Sequence, residues 1–160
     1  MANITMRAKD TLSAKKAECY CTIGENRYNF MTLISFEAKF TKNKTTVPIL
    51  GRSGNGNKSI GWSGTFTGTK HYNDSIFNQL ALDFKNSGED AYFEIQVTNE
   101  DPTSSVGRQT MTFIDCNLDE IILAKFDASS NDGLEEDFSG TFEDFEMPES
   151  FTLLDGMLTS

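Results

Sequence analysis

Two stretches of the chain alternate between apolar and polar residues with a period of two, and this alternation restricts the fold most. In residues 27–40, RYNFMTLISFEAKF, the even positions are mostly apolar and the odd positions mostly polar. Residues 62–72, WSGTFTGTKHY, alternate hydroxyl side chains with aromatic residues and glycines. Because successive side chains of a strand point to opposite faces, this pattern indicates strands that bury one face. The glycines indicate close approach of another segment or a sharp bend.

One segment has the period of a helix instead. In residues 74–86, DSIFNQLALDFKN, the apolar residues form one stripe, and Gly88 suits a left-handed stop just beyond it. We predict that this stripe packs in the core, and its main members are Ile76, Phe77, Leu80 and Phe84. One helix among many strand-like runs favours a mainly β fold, an antiparallel β-sandwich or barrel with one flanking α-helix. The length of 160 residues fits one domain, predicted over residues 1–160.

Further strands follow from composition and turn residues. We expect a first strand over residues 16–23 and a polar interruption at residues 41–44 before a strand over 44–50. Residues 108–118 and 120–128 resemble a strand pair that turns between them. The region 134–147 is expected to be a last, heavily acidic strand region.

The glycine-rich stretch GRSGNGNKS, residues 51–59, is one residue away from a phosphate-binding loop, which reads Gly, four residues, Gly, Lys, then Ser or Thr. Asn57 separates Gly56 from Lys58 and breaks the pattern. Such a loop also has to open directly into a helix, whereas the residues after Ser59 are strand-like. We therefore expect a loop without a nucleotide site.

Charge is divided unequally along the chain. Residues 1–88 contain 12 Lys or Arg and 6 Asp or Glu, whereas residues 89–160 contain 2 and 18. Two readings remain open, a fold that mixes the two parts into one acidic surface and a head-to-tail association of complementary surfaces. The net charge of −10 argues against tight binding of nucleic acid, because phosphate affinity comes from Lys and Arg.

No arrangement of residues predicts an enzyme, a metal site or a cofactor. Cys19, Cys21 and Cys116 are an odd number of cysteines, which favours reduced thiols over disulfides or a zinc site. His71 has no flanking nucleophile motif, and the carboxylate runs are typical of a solvated face. No apolar run approaches 18 residues and no secretory signal is visible, so we expect no membrane anchor.

The order of these segments, together with ILGR and its glycine loop, TGTKHYN before the helix, and the ending TFEDFEMPESF, resembles a known family. The chain resembles the tail tube proteins of contractile-tailed phages, in particular the PBSX-like core tail proteins, over residues 8–151. The fold is shared with type VI secretion tubes and R-type bacteriocin tubes. The resemblance implies a structural protein that forms hexameric rings, which stack into a hollow tube inside a contractile sheath.

The resemblance also implies roles for particular segments. Residues 1–13 would be an N-terminal arm and residues 147–160 a C-terminal tail, and both would contact neighbouring copies. A loop over residues 51–61 would reach the adjacent ring, and the residues assigned to it are Gly51, Arg52, Gly54, Asn55, Gly56 and Lys58. The candidate wet or lumen-facing residues are Ser63, Thr65, Thr67, Thr69, Glu94, Glu135 and Asp137.

Partners and location follow from the same resemblance. They would be further copies of the chain, the tail sheath, tape measure, baseplate hub and tail terminator proteins, with DNA or an effector passing without specific binding. The protein would be made and assembled in the bacterial host cytoplasm and reside in a virion tail or a phage-tail-like particle. The alternative is a β-sandwich module that binds carbohydrate or protein, for example sugars through Trp62 and Tyr72.

Overall fold

A computed structural model gives the structure of residues 4–160. These residues form two compact units that interleave along the chain. Unit 1 comprises residues 4–31, 93–114 and 145–160, and unit 2 comprises residues 32–92 and 115–144. Each unit is built from separate segments of the chain. The single domain over residues 1–160 stays a prediction.

Strands dominate both units. Strands β1 to β8 span Ala17–Ile23, Asn26–Asn29, Leu33–Val47, Gly56–His71, Phe93–Glu100, Arg108–Glu120, Glu135–Phe142 and Asp144–Glu149. Within the described residues there is one α-helix, α1 at Ile76–Ser87, and a 3-10 turn at Ala8–Asp10. The ladders β1·β2, β1·β5, β3·β4, β4·β7 and β6·β7 are antiparallel. The prediction of a mainly β, antiparallel fold with one helix is confirmed.

Unit 1 is organised around β1, which pairs with β2 on one side and with β5 on the other. Cys19 lies opposite Val97 and Cys21 opposite Ile95. Both thiols are buried, as expected of residues two apart on one face of a strand. Burial raises the pKa of the Cys19 thiol to about 12.

Unit 2 contains the ladders β3·β4 and β4·β7, with the end of β6 paired to the far side of β7. The helix α1 follows β4. The backbone N–H of Ile76 donates to Asp74 Oδ1 over 3.3 Å at its start. At its end Gly88 has a φ of 74°, and its N–H donates to the Phe84 carbonyl over 2.8 Å. The left-handed stop is a conformation that glycine adopts without strain.

Glycines of one strand lie under phenylalanine rings of its partner in the β4·β7 ladder. Three pairs are directly opposite each other, Gly64 with Phe142, Phe66 with Gly140, and Gly68 with Phe138. A Cβ atom added to any of these glycines would collide with the facing ring. Phe66 and Phe138 are both buried, and Phe138 meets the Phe77 ring of α1 edge-on at 5.2 Å between centroids. The glycines therefore provide the space in which the aromatic core closes.

The structure corrects four strand and helix expectations. Residues 27–40 are not one strand, because β2 ends at Asn29 and β3 begins at Leu33. Residues 41–44 do not interrupt β3, since all four pair with β4. Residues 121–128 form no strand; Leu123 is held by side chains, its carbonyl accepting the Tyr72 hydroxyl at 2.9 Å. The helix stripe does not stay in the core to its end, because Phe84 is 52% exposed beside an open groove.

We predict that Gly68→Ala lowers the free energy of unfolding by about 1–3 kcal/mol, as expected of overpacking in a closed core. The added Cβ would lie 2.8 Å from the Ser35 carbonyl oxygen and would also collide with Phe138. The matched control is Gly61→Ala in the same strand, where the nearest atom is 3.9 Å away and we expect a change within about 0.5 kcal/mol. Urea unfolding measures both variants, and equal effects would contradict the proposed fit.

Candidate assembly surfaces

The hairpin of β3 and β4 extends beyond the rest of the sheet in unit 2. β4 pairs with β7 only from Gly64 onward, while its earlier residues pair with β3 alone in the described structure. We call residues 41–63 the hairpin extension. Every residue in it is exposed except for Val47 and Gly56, which are half-buried. The extension is thus a ribbon with water on both faces.

The hairpin extension carries charge of one sign. It contains Lys42, Lys44, Arg52 and Lys58 and no acidic residue. At its tip the Arg52 N–H donates to the Ile49 carbonyl over 3.2 Å, and Gly51 has a φ of 86°. Ile49 folds back over Gly56, whereas the Leu50 side chain is fully exposed. The extension therefore presents exposed aliphatic side chains within a basic surface, with Leu50 at the tip and Ile60 farther along β4.

The predicted loop over residues 51–61 is shorter in the structure. Gly51, Arg52, Gly54 and Asn55 lie in the turn, but residues 56–61 belong to β4, and Gly56 and Lys58 pair with Val47 and Thr45. The strand β4 continues back into the glycine-rich stretch because β3 supplies its hydrogen-bonding partners there. A strand in place of a helix after Gly56 also removes the geometry of a phosphate-binding loop, as the sequence suggested.

The β3, β4 and β7 ladders have a polar face on the side away from the aromatic core of Phe66 and Phe138. Ser63, Thr65 and Thr67 are exposed and Thr69 is half-buried, and these four residues define the hydroxyl face together with their neighbours in β3 and β7. Thr67 lies opposite Glu37 on β3 and Ser139 on β7. The face therefore consists of hydroxyls interspersed with charged groups.

Carboxylates outnumber cations on the hydroxyl face. The Thr69 hydroxyl donates to Asp137 over 2.7 Å. Glu37 and Lys39 form an exposed ion pair at 3.2 Å. Glu120 lines the same shallow depression as Glu37 and Asp137. The candidate residue Glu135 is exposed opposite His71, at one end of the β4·β7 ladder, whereas Glu94 is exposed on β5 of unit 1.

A buried ion cluster lies where β4 meets the start of α1, and sequence reasoning missed it. Lys70 is fully buried, and its Nζ is 2.6 Å from Glu136 Oε1 and 2.9 Å from Asp74 Oδ1. The ammonium also lies 5.6 Å from the centroid of the Phe77 ring. Thr32 donates to the second oxygen of Asp74 over 3.2 Å. One signal was available in the sequence, because Lys70 falls on the apolar side of the β4 alternation.

Glu136 therefore does not belong to a solvated acidic run. It is 3% exposed, lies directly opposite Lys70 in the ladder, and its Oε2 has no hydrogen-bond partner among the described residues. Its neighbours Glu135 and Asp137 point to the other, exposed face. A charge reversal at Glu136 would place two like charges together in the interior, so the three carboxylates cannot be treated as one patch.

The N-terminal arm of unit 1 is held by two aspartates; residues 1–3 of the predicted arm lie outside the described residues. Asp10 Oδ1 accepts the N–H of Ser105 at 3.0 Å and its hydroxyl at 2.8 Å. Asp101 accepts the N–H of Thr103 and that of Ser13, both at 3.0 Å. These hydrogen bonds lower the pKa of Asp10 and of Asp101. The largest effect comes from a backbone N–H in each case, that of Ser105 on Asp10 and that of Thr103 on Asp101. The arm is anchored to the β5–β6 turn by hydrogen bonds that favour ionised carboxylates.

Trp62 and Tyr72, named above as an example of sugar-binding residues for the alternative function, both make contacts within unit 2. Trp62 is stacked on Phe40 at 4.9 Å between ring centroids, and the Tyr72 hydroxyl donates to Leu123. Among residues 4–160 no group of three or more His, Cys, Asp or Glu side chains could hold a metal ion. Over the same residues no helix is long and apolar enough to cross a membrane.

We predict that Lys70→Met lowers the free energy of unfolding by about 3–5 kcal/mol, since it leaves Glu136 buried without its countercharge. The double variant Lys70→Met/Glu136→Leu removes both charges, and we expect it to recover most of that loss. Lys39→Met breaks the exposed pair with Glu37 and serves as the control, with an expected effect below about 1 kcal/mol. Similar losses for Lys39→Met and Lys70→Met in urea unfolding would contradict this view of the cluster.

The anchors of the N-terminal arm predict an acid-sensitive stability. The pKa of each aspartate is lower in the folded state than its unfolded value of about 3.9. The ionised carboxylates therefore contribute to the free energy of unfolding above that pH, and this contribution is lost as the pH falls towards the folded pKa. The variant Asp10→Asn/Asp101→Asn keeps an acceptor oxygen but no titrating group. We expect its urea midpoint to fall less than that of the wild type between pH 6 and about pH 3. Glu25→Gln, in the exposed β1–β2 turn, is the control and should retain the wild-type dependence.

Comparison with known proteins gives one consistent result. A family model described as "Phage tail tube protein" matches residues 4–149. The phage-like element PBSX protein XkdM of Bacillus subtilis (strain 168) is 36% identical over 149 residues, which are 93% of this chain and 98% of that protein. The uncharacterized protein YqbM of the same organism is 36% identical over 146 residues, covering 91% and 96%.

Solved structures show the same fold at low sequence identity. A chain in the 6-fold symmetrised cryo-EM structure of the anti-feeding prophage baseplate superposes with a TM-score of 0.65 at 12% identity, covering 90% of this chain and 97% of that one. A chain of the extracellular contractile injection system PVC, in its sheath-tube complex in the extended state, gives a TM-score of 0.62 at 13% identity, covering 89% and 94%.

Proposed function

Because the chain belongs to the phage tail tube protein family, we propose that its copies form hexameric rings that stack into a tube within a contractile tail. Members of this family are structural components of phage tails and related injection systems rather than enzymes. The single observation that carries the stacking is the hairpin extension, residues 41–63, which is too exposed to be part of the subunit core. A long ribbon without a sheet neighbour is stabilised when another chain covers it.

The extension has the properties of a contact between rings. It carries four basic residues and no acidic one, while residues 115–144 of the same unit carry 10 acidic residues and a single basic one, Lys125. A contact between unlike surfaces of identical copies is heterologous, and it either closes into a ring or continues along an axis. The inter-ring role lies with the turn residues Gly51, Arg52, Gly54 and Asn55 together with the strand residues Gly56 and Lys58.

The hydroxyl face is proposed to line the lumen. Its exposed Ser and Thr hydroxyls can hydrogen-bond to water. Lys39 is neutralised by Glu37, so the remaining carboxylates, including Asp137 bonded to Thr69, leave an excess of negative charge. A polyanion such as DNA is repelled by such a wall and passes without binding, whereas a basic wall would retain it. The same wall serves a tube that carries DNA and one that carries an effector.

The remaining partners follow from where similar chains are found. One lies in a sheath-tube complex and another in a baseplate. We extend these settings to this chain and assign it contacts with sheath, baseplate hub, tape measure and terminator proteins. Assembly in the host cytoplasm, in the tail of a phage or a phage-tail-like particle, is part of the same proposal.

Removing the outer part of the hairpin extension tests the proposal. We predict that replacing residues 45–58 by Asn-Gly, which joins the paired residues Lys44 and Ser59 with a tight turn, leaves a folded subunit that forms rings but no tubes. Negative-stain electron microscopy of concentrated wild type and variant measures ring symmetry and tube length. Far-UV circular dichroism with urea unfolding checks that the variant is folded.

The outcomes are distinct. Wild-type tubes with hexameric end views, together with isolated rings of the variant, support both the function and the role of the extension. A wild type that remains monomeric at every concentration overturns the tube function. Tubes of normal length from the variant overturn the assignment of the extension as the inter-ring contact.

A further inference from the structure

An open apolar groove runs along α1 in unit 2. It has a volume of about 340 Å³ and lies between the helix and residues 117–123. Its aliphatic and aromatic lining includes Leu80, Phe84, Leu118, Ile121 and Leu123. Phe84 is 52% exposed and Leu123 66% exposed, so the groove is incompletely covered by its own chain. On a protein proposed to assemble, a concave surface with exposed apolar side chains is a candidate contact site.

The groove is surrounded by negative charge. Asp90 and Asp119 line it directly. Residues 80–91 together with Asp119 contain four carboxylates and one base, Lys85. An occupant of the groove must therefore combine an apolar side chain with positive charge.

The tip of the hairpin extension has this combination. Leu50 is fully exposed, because Ile49 folds back over Gly56 and leaves Leu50 without cover from its own hairpin. Arg52 follows two residues later, and Lys58 lies on the adjoining strand. No acidic residue lies anywhere in the extension to oppose the carboxylates of the groove.

We propose that the groove along α1 receives the hairpin tip of a second copy of this chain, with Leu50 inserted between Phe84 and Leu123 and Arg52 beside Asp119. This inference rests on the proposed tube function and names the surface that its inter-ring contact uses. A fully exposed aliphatic residue that enters an apolar pocket behaves as an anchor, and the charges around it fix orientation. The contact is heterologous, so each copy supplies a tip in one direction and a groove in the other.

Cross-linking tests the contact on assembled protein. The variant Leu50→Cys/Leu123→Cys places one thiol at the tip and one in the groove, while the native Cys19, Cys21 and Cys116 are buried. Under mild oxidation we expect a ladder of covalent oligomers on non-reducing gels. The control pair Leu50→Cys/Met31→Cys uses an exposed site outside the groove, the extension, the arm and the tail, since Met31 is 79% exposed, and should give no more product than either single variant.

A charge exchange gives an independent measurement that needs no new thiol. Arg52→Glu places a carboxylate against the acidic rim, and we expect the concentration required for tube formation to rise at least about tenfold. Adding Asp119→Arg should restore it towards the wild-type value. Arg52→Glu/Asp132→Arg has the same net charge, but Asp132 is exposed away from the groove lining, so we expect no restoration.

These outcomes separate the inference from the function on which it rests. Wild-type tubes combined with equal cross-linking of the two cysteine pairs, or with equal rescue by Asp119→Arg and Asp132→Arg, overturn the groove contact and leave the tube function standing. Absence of wild-type tubes overturns both. A ladder specific to the Leu50 and Leu123 pair, together with rescue specific to Asp119→Arg, supports the contact.

Discussion

The close fit between β4 and β7 is the interaction on which the rest of unit 2 depends. Gly64, Gly68 and Gly140 each lie under a phenylalanine of the facing strand, so the ladder and the aromatic core form together. The same alternation places the hydroxyls on the opposite face and places Lys70 beside Glu136 in the interior. A shift of one residue in register would exchange these two faces completely. The aromatic–glycine fit therefore fixes which surface is polar as well as which is packed.

Much of the fold follows from the sequence because period-two alternation is a local property. The prediction of a mainly β, antiparallel fold with one helix is confirmed, and so are the resemblance to phage tail tube proteins and the absence of an enzymatic role. The predicted first strand at 16–23 differs by one residue from β1. For the fold class and the first strand, neighbouring residues in the chain carry the information as strand period and turn chemistry, whereas the resemblance rests on the order of motifs along the chain.

The parts that sequence reasoning missed depend on residues that are distant in the chain. The polar residues at 41–44 read as an interruption, yet β4 supplies their pairing partners from residues 59–63 and keeps them in a strand. Glu136 read as part of an acidic run, and only its register opposite Lys70 shows that it is buried. Phe84 followed the helical stripe, but whether a stripe is covered depends on what packs over it. Propensity and pattern do not determine any of these three outcomes.

The exposure of the hairpin extension has a consequence for how such subunits diverge. Few of its side chains pack against anything in their own chain, so most substitutions there should change the free energy of folding very little. The β4·β7 ladder has no such freedom, because even one methyl group at Gly68 or Gly140 collides with a neighbour. Related chains in one host can therefore acquire different hairpin tips while keeping the same core. Under the proposed inter-ring contact, discrimination between self and close relatives during co-assembly would then evolve at the tip without loss of stability.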